Sequence, residues 1–186
     1  MRISKTMVYW ILFLLLALPC SPLAQEKSSQ DIQKSCRDFV QKFYDWYVPK
    51  TQKLSAERTW DLALKYRRSS FSAELVRRLS EDSDAQAKVA GEIVGLDFDP
   101  FLNSQDPDEH FVVGKVRTSG DSCRAEVHGV RSGKRSEEPD VVVELALKHG
   151  RWLFVNFHYE KAENPARENL LSLLKSLREN RQREPR

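Results

Sequence analysis

The residues between His110 and Tyr159 form four runs in which every second residue is mostly apolar, and turn residues separate the runs. A period of two is typical of half-buried β-strands, because successive side chains of a strand point to opposite faces. The runs cover about 111–117, 123–130, 141–148 and 152–159. The last run follows His149-Gly150, a pair that favours a two-residue hairpin. The pattern therefore predicts a four-stranded antiparallel meander.

The same alternation divides the predicted sheet into an apolar face and a mixed face. The apolar face includes Ala125, Val143 and Phe157, and we expect helices to cover it. The mixed face carries Arg124, Glu126, His128, Glu144, Lys148, Asn156 and His158, with Trp152 and Phe154 among them. A solvated face rarely exposes two such large aromatic rings, so we expect part of this face to bind a partner or a ligand.

A long amphipathic segment precedes the strands. Apolar residues recur at helical spacing over residues 32–47, after a helix start near Ser29. Pro49 is expected to end this helix, because the residue before a proline disfavours the α conformation. We expect the aromatic rings of this helix to pack against the sheet. The alternative is that one or two of them, Tyr44 and Tyr47 included, line a ligand pocket.

Three further helical segments are predicted. Ser55 is a candidate cap for the second helix, and the third helix begins near Ser72. We expect residues 80–84 to interrupt the third helix, because Ser and Asp side chains compete for backbone hydrogen bonds. The helix would then resume and end at Gly91. Residues 164–165, Asn-Pro, mark the start of a C-terminal helix.

The acidic loop of residues 95–108 connects the helices to the sheet, and its two prolines argue against regular structure. Its carboxylate and amide oxygens are of the kind that hard cations such as calcium prefer. Asp97, Asp99, Asn103 and Asp106 are therefore weak candidates for metal ligands. Their spacing does not match the helix-loop-helix calcium pattern, and the simpler interpretation is that these side chains hold the loop's own backbone in turns. We predict no metal and no cofactor.

Two segments carry a resemblance to a known family. They are the aromatic run Phe43-Tyr44-Asp45-Trp46-Tyr47 and the loop segment from Leu96 to Asp106, with Asp-Pro-Phe-Leu-Asn at its centre. Over about residues 30–160 the chain resembles a family of small exported bacterial proteins, a domain of unknown function that looks like the cystatin-like, nuclear-transport-factor-type superfamily. The resemblance implies an α+β fold, a cystatin-like roll with N-terminal helices on one face of the meander, and a periplasmic or outer-membrane setting. It implies no catalytic residues.

The N-terminus has the order of a secretory signal peptide: a basic start, an apolar run over residues 7–18, and small residues that end at Ala24. The apolar run is shorter than a permanent membrane anchor, which needs about 20 residues. We therefore expect cleavage after Ala24 and an exported, periplasmic or secreted protein without a stable transmembrane segment. A lipid on Cys20 is the second interpretation, although Pro19 fits a lipid-attachment site badly.

Export changes the charge balance. Of the 186 residues, 30 are basic and 27 acidic, and the signal peptide contains two of the basic ones, Arg2 and Lys5. The mature chain is then almost neutral, which argues against nucleic acid as a partner because no large positive field remains to attract phosphates. Cys36 and Cys123 are the cysteines that remain, and an exported chain with two cysteines is a candidate for one disulfide. The alternative is a pair of buried free thiols.

We interpret residues 1–24 as the signal peptide, 25–162 as one α+β domain, and 163–186 as a C-terminal helix with a charged tail. The function favoured by this pattern is non-enzymatic binding of a protein or small molecule, on the mixed sheet face or in a pocket between helix and sheet. One alternative is an inhibitor or immunity protein. Another is a small isomerase or dehydratase whose site lies between helix and sheet. No Ser-His-Asp pattern, phosphate-binding glycine loop or zinc spacing supports the enzyme.

Overall fold

A computed structural model describes residues 22–53, 58–159 and 168–183, with side chains from residue 29 onward. The elements are α1 (Pro22–Thr51), α2 (Thr59–Arg67), a 3₁₀ turn (Arg68–Ser70), α3 (Ala73–Ala87), β1 (His110–Ser119), β2 (Ser122–Arg131), β3 (Lys134–Arg135), β4 (Val141–Lys148), β5 (Arg151–His158) and α4 (Leu170–Arg183). The α+β fold is confirmed, with the helices on one face of the sheet.

The sheet is the predicted meander with one addition. Its strands follow the order β1-β2-β4-β5, and every neighbouring pair is antiparallel. The two-residue strand β3 lies in the loop after β2 and pairs with Val130 and Arg131. The β4–β5 hairpin turns at His149 and Gly150, which both have positive φ. That backbone matches the right-handed twist of the two strands, so the hairpin prediction is confirmed.

A β-bulge in β5 corrects the predicted faces. Glu144 pairs with Asn156, but the next residue of β4, Leu145, pairs with Phe154, so Val155 is an extra residue in β5. In the part of β5 that precedes this extra residue, each side chain therefore points to the face opposite to the predicted one. Trp152 (5% exposed) and Phe154 (0%) therefore lie on the helix-covered face, and their predicted place on the mixed face is wrong.

Aromatic rings form the centre of the core. The Phe43 ring of α1 packs edge-on against Phe71 and Phe101 and lies 4.8 Å, centroid to centroid, from Phe154. Phe101 in turn contacts Phe157 at 4.8 Å. Each such pair adds about 0.5–1.5 kcal/mol beyond the burial of its area. Helix, acidic loop and sheet thus share one hydrophobic cluster, and the prediction that the α1 rings pack against the sheet is confirmed.

Helix α3 runs without the predicted interruption at residues 80–84 and ends at Ala87. Two of the side chains in this stretch, Asp82 and Ser83, bond to neighbouring parts of the fold. The Ser83 hydroxyl donates to Asp61 of α2, and buried Asp82 accepts from the Arg181 guanidinium at 2.7 Å and from the Leu96 amide at 2.9 Å. Because these side chains have tertiary partners, they do not compete for the backbone hydrogen bonds of the helix in the way that the sequence pattern predicts.

Of the other predicted helix ends, one is confirmed and one is shifted. The Ser72 hydroxyl accepts from the Leu75 amide, which confirms Ser72 as the N-cap of α3. Helix α1 continues past Pro49 to Thr51, whose hydroxyl donates to the Val48 carbonyl. The predicted cap Ser55, the predicted start at 164–165 and residues 1–21 of the signal peptide lie outside the described residues.

Side chains and loops cover both edges of the sheet. On the β1 edge, the Gln41 amide donates to the Phe111 carbonyl and accepts from the Val113 amide, and Arg37 donates to the Val113 carbonyl. On the β5 edge, the Ser72 amide donates to the Phe154 carbonyl at 2.9 Å. These bonds occupy backbone groups that an exposed edge would offer to another strand.

The disulfide between Cys36 of α1 and Cys123 of β2 is confirmed, and its two cysteines have a sequence separation of 87. Both cysteines are buried in the core cluster, so the bond fastens the longest helix to a central strand. No helix among the described residues combines the length and apolar character that crossing a membrane requires.

Replacement of both cysteines by serine tests how much this bond contributes to the stability of the fold. A disulfide that closes a loop of this length adds about 4–5 kcal/mol to the free energy of unfolding in the chain-entropy model. The Cys36→Ser/Cys123→Ser protein should lose most of that amount. Urea denaturation followed by circular dichroism measures it. An unchanged midpoint would contradict a stabilising role.

Candidate functional site

A groove runs between α1 and the segment formed by the 3₁₀ turn and the β4–β5 hairpin. It consists of a cavity of about 580 Å³ and a neighbouring one of about 380 Å³, and the two share Phe39, Lys42 and Ser70. We call it the α1 groove. Its lining comprises Asp31, Lys34, Ser35, Asp38, Phe39, Lys42, Phe43, Arg67, Ser69, Ser70, Gly150, Arg151 and Trp152.

The floor of the α1 groove is aromatic. Trp152 lies at the bottom, and its indole Nε1 donates to the Ser35 hydroxyl at 3.2 Å. Phe39 is partly exposed, and its ring packs 5.1 Å from the ring of buried Phe154. The β5 bulge therefore gives Trp152 and Phe154 different roles: the first lines the groove, and the second supports the floor from the core.

Charged side chains form the walls. On α1, Lys34 and Asp38 make an ion pair of 2.6 Å, and the hydrogen bond between them raises the pKa of Lys34 and lowers the pKa of Asp38. Lys42 lies one turn further along α1. On the opposite wall Arg151 is exposed, and at the far end the Arg67 guanidinium lies over the Trp46 ring at 4.9 Å. Within the described residues, no carboxylate lies at ion-pair distance from Lys42, Arg67 or Arg151.

The other face of the sheet, which we call the polar sheet face, neutralises its own charges. Glu126 pairs with Arg117 at 3.3 Å. Glu144 accepts from His158 Nε2 at 2.7 Å and lies 3.6 Å from the Arg124 guanidinium. The side-chain Nδ2 of Asn156 donates to the Asn169 side chain ahead of α4. The side-chain Oδ1 of Asn156 accepts from the backbone amides of Leu171 and Phe157. These predicted binding residues lie together, but without the two aromatic rings expected among them.

His128 is buried beneath β3. Its Nδ1 lies 3.0 Å from the Ser136 carbonyl oxygen, and its Nε2 lies 3.1 Å from the Arg135 guanidinium. A carbonyl only accepts and a guanidinium only donates, so these partners fit Nδ1 as a donor to Ser136 and Nε2 as an acceptor from Arg135. Gly114 of β1 leaves room for the ring, because a Cβ at that position would lie 2.6 Å from Nε2. His128 is thus a packed and satisfied side chain.

Tyr44 and Tyr47 fasten the acidic loop to the core. The Tyr44 hydroxyl donates to the Phe101 carbonyl at 2.8 Å, and the Tyr47 hydroxyl donates to the Asp99 carboxylate at 2.6 Å. Asp99 also accepts from the Thr59 hydroxyl and from the amides of Phe101 and Leu102. Four donors therefore satisfy this buried carboxylate, and we call the arrangement the Asp99 clamp. For Asp99, the two amide bonds fit the interpretation that acids of the loop hold its own backbone in turns.

Burial sets the protonation behaviour of the clamp. Burial away from solvent raises the pKa of Asp99. The hydrogen bonds from Thr59, Tyr47, Phe101 and Leu102 lower it, but the effect of burial is larger. Burial and the nearby Asp99 charge raise the pKa of the Tyr47 phenol well above its usual value. Tyr47 therefore acts as a hydrogen-bond donor to Asp99 over the whole neutral range.

The remaining metal candidates in the loop do not converge. Asp106 pairs with Arg131 at 3.2 Å, the Asn103 amide donates to the Asp140 carbonyl, and the Asp97 side chain is exposed. Among the described residues, no three His, Cys, Asp or Glu side chains are arranged to hold a metal ion.

Most of the α1 groove was not among the predicted site residues. Of its lining, the sequence pattern singled out Trp152 alone as a binding candidate. The missing signal was the bulge at Val155, since it decides that Trp152 faces α1. The opposite wall contains Ser69, Ser70 and Arg151, which tertiary packing brings to α1 from distant parts of the sequence.

The Asp99 clamp predicts a pH dependence of stability. The folded protein keeps a proton on Asp99 at pH values at which the unfolded chain, with an ordinary pKa of 3.8, has released it. The Asp99 contribution to the free energy of unfolding is thus complete below pH 3.8 and is lost as pH rises through the folded-state pKa. In Asp99→Asn this slope should vanish while much of the clamp remains. Urea titrations of both proteins at several pH values measure it, and parallel curves would contradict the assignment.

No known family profile matches the sequence, and neither does any curated protein sequence. Among solved structures, the fold is similar to a protein of unknown function from Bacteroides thetaiotaomicron VPI-5482, with a TM-score of 0.52 and 15% identity. The likeness covers 74% of this chain and 98% of that protein. At this identity the likeness is one of fold, so the cystatin-like family assignment stays a prediction.

Proposed function

We propose that the protein is an exported, non-enzymatic binding module that holds its partner in the α1 groove. The observation that supports this function best is the composition of the groove: an aromatic floor of Phe39 and Trp152 lies between polar walls at a helix–sheet junction. Binding sites commonly combine apolar contact area with a few polar groups that fix orientation. Of the two surfaces predicted from the sequence, the proposal follows the pocket between helix and sheet, but the groove lining contains neither Tyr44 nor Tyr47.

The shape of the groove favours a segment of a larger partner over an enclosed small molecule. Small ligands bury most of their surface in closed cavities. The α1 groove is open to solvent along its length, with exposed Lys34 and Ser69 on opposite walls. An extended polypeptide segment lying between these walls would bury one side and leave the other in water.

The polar sheet face is the weaker of the two surfaces. Its acids Glu126 and Glu144 already have basic partners, so a bound partner would have to compete with those ion pairs. Binding there remains a prediction that the geometry favours less.

The enzyme alternative, with a site between helix and sheet, gains no support from Tyr44 and Tyr47. Tyr44 and Tyr47 are 1% and 0% exposed, and both hydroxyls are engaged by the acidic loop. Groups so placed hold the fold together and do not face a substrate.

Export is part of the proposal. The Cys36–Cys123 bond is of the kind that persists in oxidising compartments, and the N-terminal residues have the order of a signal peptide.

Filling the groove should abolish partner binding. Ser69→Trp places a large ring in the groove from an exposed position, whereas Ser119→Trp adds the same ring at the exposed end of β1. We expect wild type and Ser119→Trp to retain the same stoichiometric partner from the exported protein fraction, and Ser69→Trp to lose at least about 90% of it, since blocked contacts cost several factors of ten in affinity. Quantitative mass spectrometry of the captured proteins measures this. Equal capture by both variants, each with a wild-type circular dichroism spectrum, would rule out the groove.

The export proposal has its own measurement. N-terminal sequencing of the protein from the exported fraction should begin at Gln25, because the signal peptide is expected to be removed after Ala24. An intact Met1, or a lipid-modified Cys20, would show a different mode of export or anchoring.

A further inference from the structure

We propose that the partner segment held in the α1 groove is an extended acidic peptide with apolar side chains between its carboxylates. This inference rests on the proposed function, and it adds the chemical class of the ligand. Three properties of the groove carry it: the sign of its uncompensated charge, its length, and the placement of its aromatic floor.

The uncompensated charge of the groove is positive. Lys34 and Asp38 neutralise each other at 2.6 Å. Lys42, Arg67 and Arg151 remain without a carboxylate at ion-pair distance in the described part of the chain, against a single remaining acid, Asp31. Carboxylates of a ligand would meet these cations above an apolar floor, where charge pairs are stronger than on a flat surface. A basic ligand would be repelled.

The cations are distributed along the groove and on both of its walls. Lys42 lies on α1, Arg151 on the hairpin and Arg67 at the far end. The stretch of α1 that lines the groove, residues 31–43, is about 18 Å long at 1.5 Å per residue. An extended peptide rises about 3.3 Å per residue, so five or six residues fill this length.

The floor supplies the sites for apolar side chains. Phe39 is shared by the two cavities and is partly exposed, so it can contact the ligand directly. Trp152 is 5% exposed, which leaves too little ring surface for stacking a sugar. Its bond to the Ser35 hydroxyl uses an oxygen lone pair and leaves that hydroxyl's proton free for a ligand carbonyl or carboxylate. These features favour a peptide over an anionic glycan.

Fluorescence anisotropy with labelled hexapeptides tests the inference on the disulfide-bonded protein. The probes alternate phenylalanine with glutamate, with glutamine or with lysine. We expect the glutamate probe to bind about tenfold or more tightly than the glutamine probe, and the lysine probe not to bind. Added salt should weaken the glutamate probe selectively, since exposed charges are screened within about 10 Å at 0.1 M salt.

Charge reversal provides the matched control. Lys42→Glu/Arg151→Glu should weaken the glutamate probe by about tenfold or more, whereas Lys134→Glu/Arg183→Glu, which reverses two exposed charges outside the groove, should leave it within about twofold. Equal losses in both variants would show a nonspecific charge effect and overturn the inference.

The outcomes also separate the ligand class from the groove itself. If the glutamate and glutamine probes bind equally and Ser69→Trp blocks both, the groove function stands and the acidic class is wrong. Failure of all three peptides, with binding of a polygalacturonate oligosaccharide that Ser69→Trp abolishes, would replace the peptide by an anionic glycan. If Ser69→Trp changes the binding of no probe and of no captured protein, both the inference and the proposed function fail.

Discussion

The bulge at Val155 is the constraint on which the rest of this structure depends. One extra residue in β5 turns Trp152 and Phe154 towards the helices while Phe157 and Tyr159 keep the same direction. The core thereby gains the ring that contacts Phe39, Phe43 and Phe71 of the helical layer. The groove gains its floor, because Trp152 is placed beneath α1. In a regular strand, even-numbered and odd-numbered residues point to opposite faces. Without the bulge, either Trp152 and Phe154 or Phe157 and Tyr159 could face the core, but not all four rings.

The Asp99 clamp and the disulfide complete what hydrophobic packing alone leaves open. A loop with two prolines has few backbone bonds of its own, and Phe101 must enter the core from it. Asp99 resolves this by accepting from side chains of α1 and α2 and from the loop's own amides. The carboxylate is costly to bury, but with four donors the cost is offset and the loop has one defined position. Cys36–Cys123 then fixes α1, which carries the clamp tyrosines and one wall of the groove, to β2.

Two surfaces compete as binding sites, and their electrostatics distinguish them. On the polar sheet face, strand pairing brings Arg117 and Arg124 beside Glu126 and Glu144, so opposite charges meet across neighbouring strands. The α1 groove combines elements that approach each other only through packing, and its cations Lys42 and Arg151 have no acid at ion-pair distance among the residues that the structure describes. Such cations are available to an acidic ligand, which is the basis of the proposal for the groove.

The sequence by itself determined the α+β class, the four long strands, the His149-Gly150 hairpin and the cap at Ser72, and it made Cys36 and Cys123 a candidate disulfide. These follow from period, turn chemistry and cysteine count, all of which are local or compositional. Only the tertiary structure decided the faces of β5, the continuity of α3 through residues 80–84, and the groove. The residue order of β5 does not show where the strand bulges, Asp82 needs Arg181 from α4 to make its place in a helix favourable, and Ser69 meets Lys34 and Arg151 around the groove only after the chain has packed. Each depends on partners far away in sequence, which periodicity cannot report.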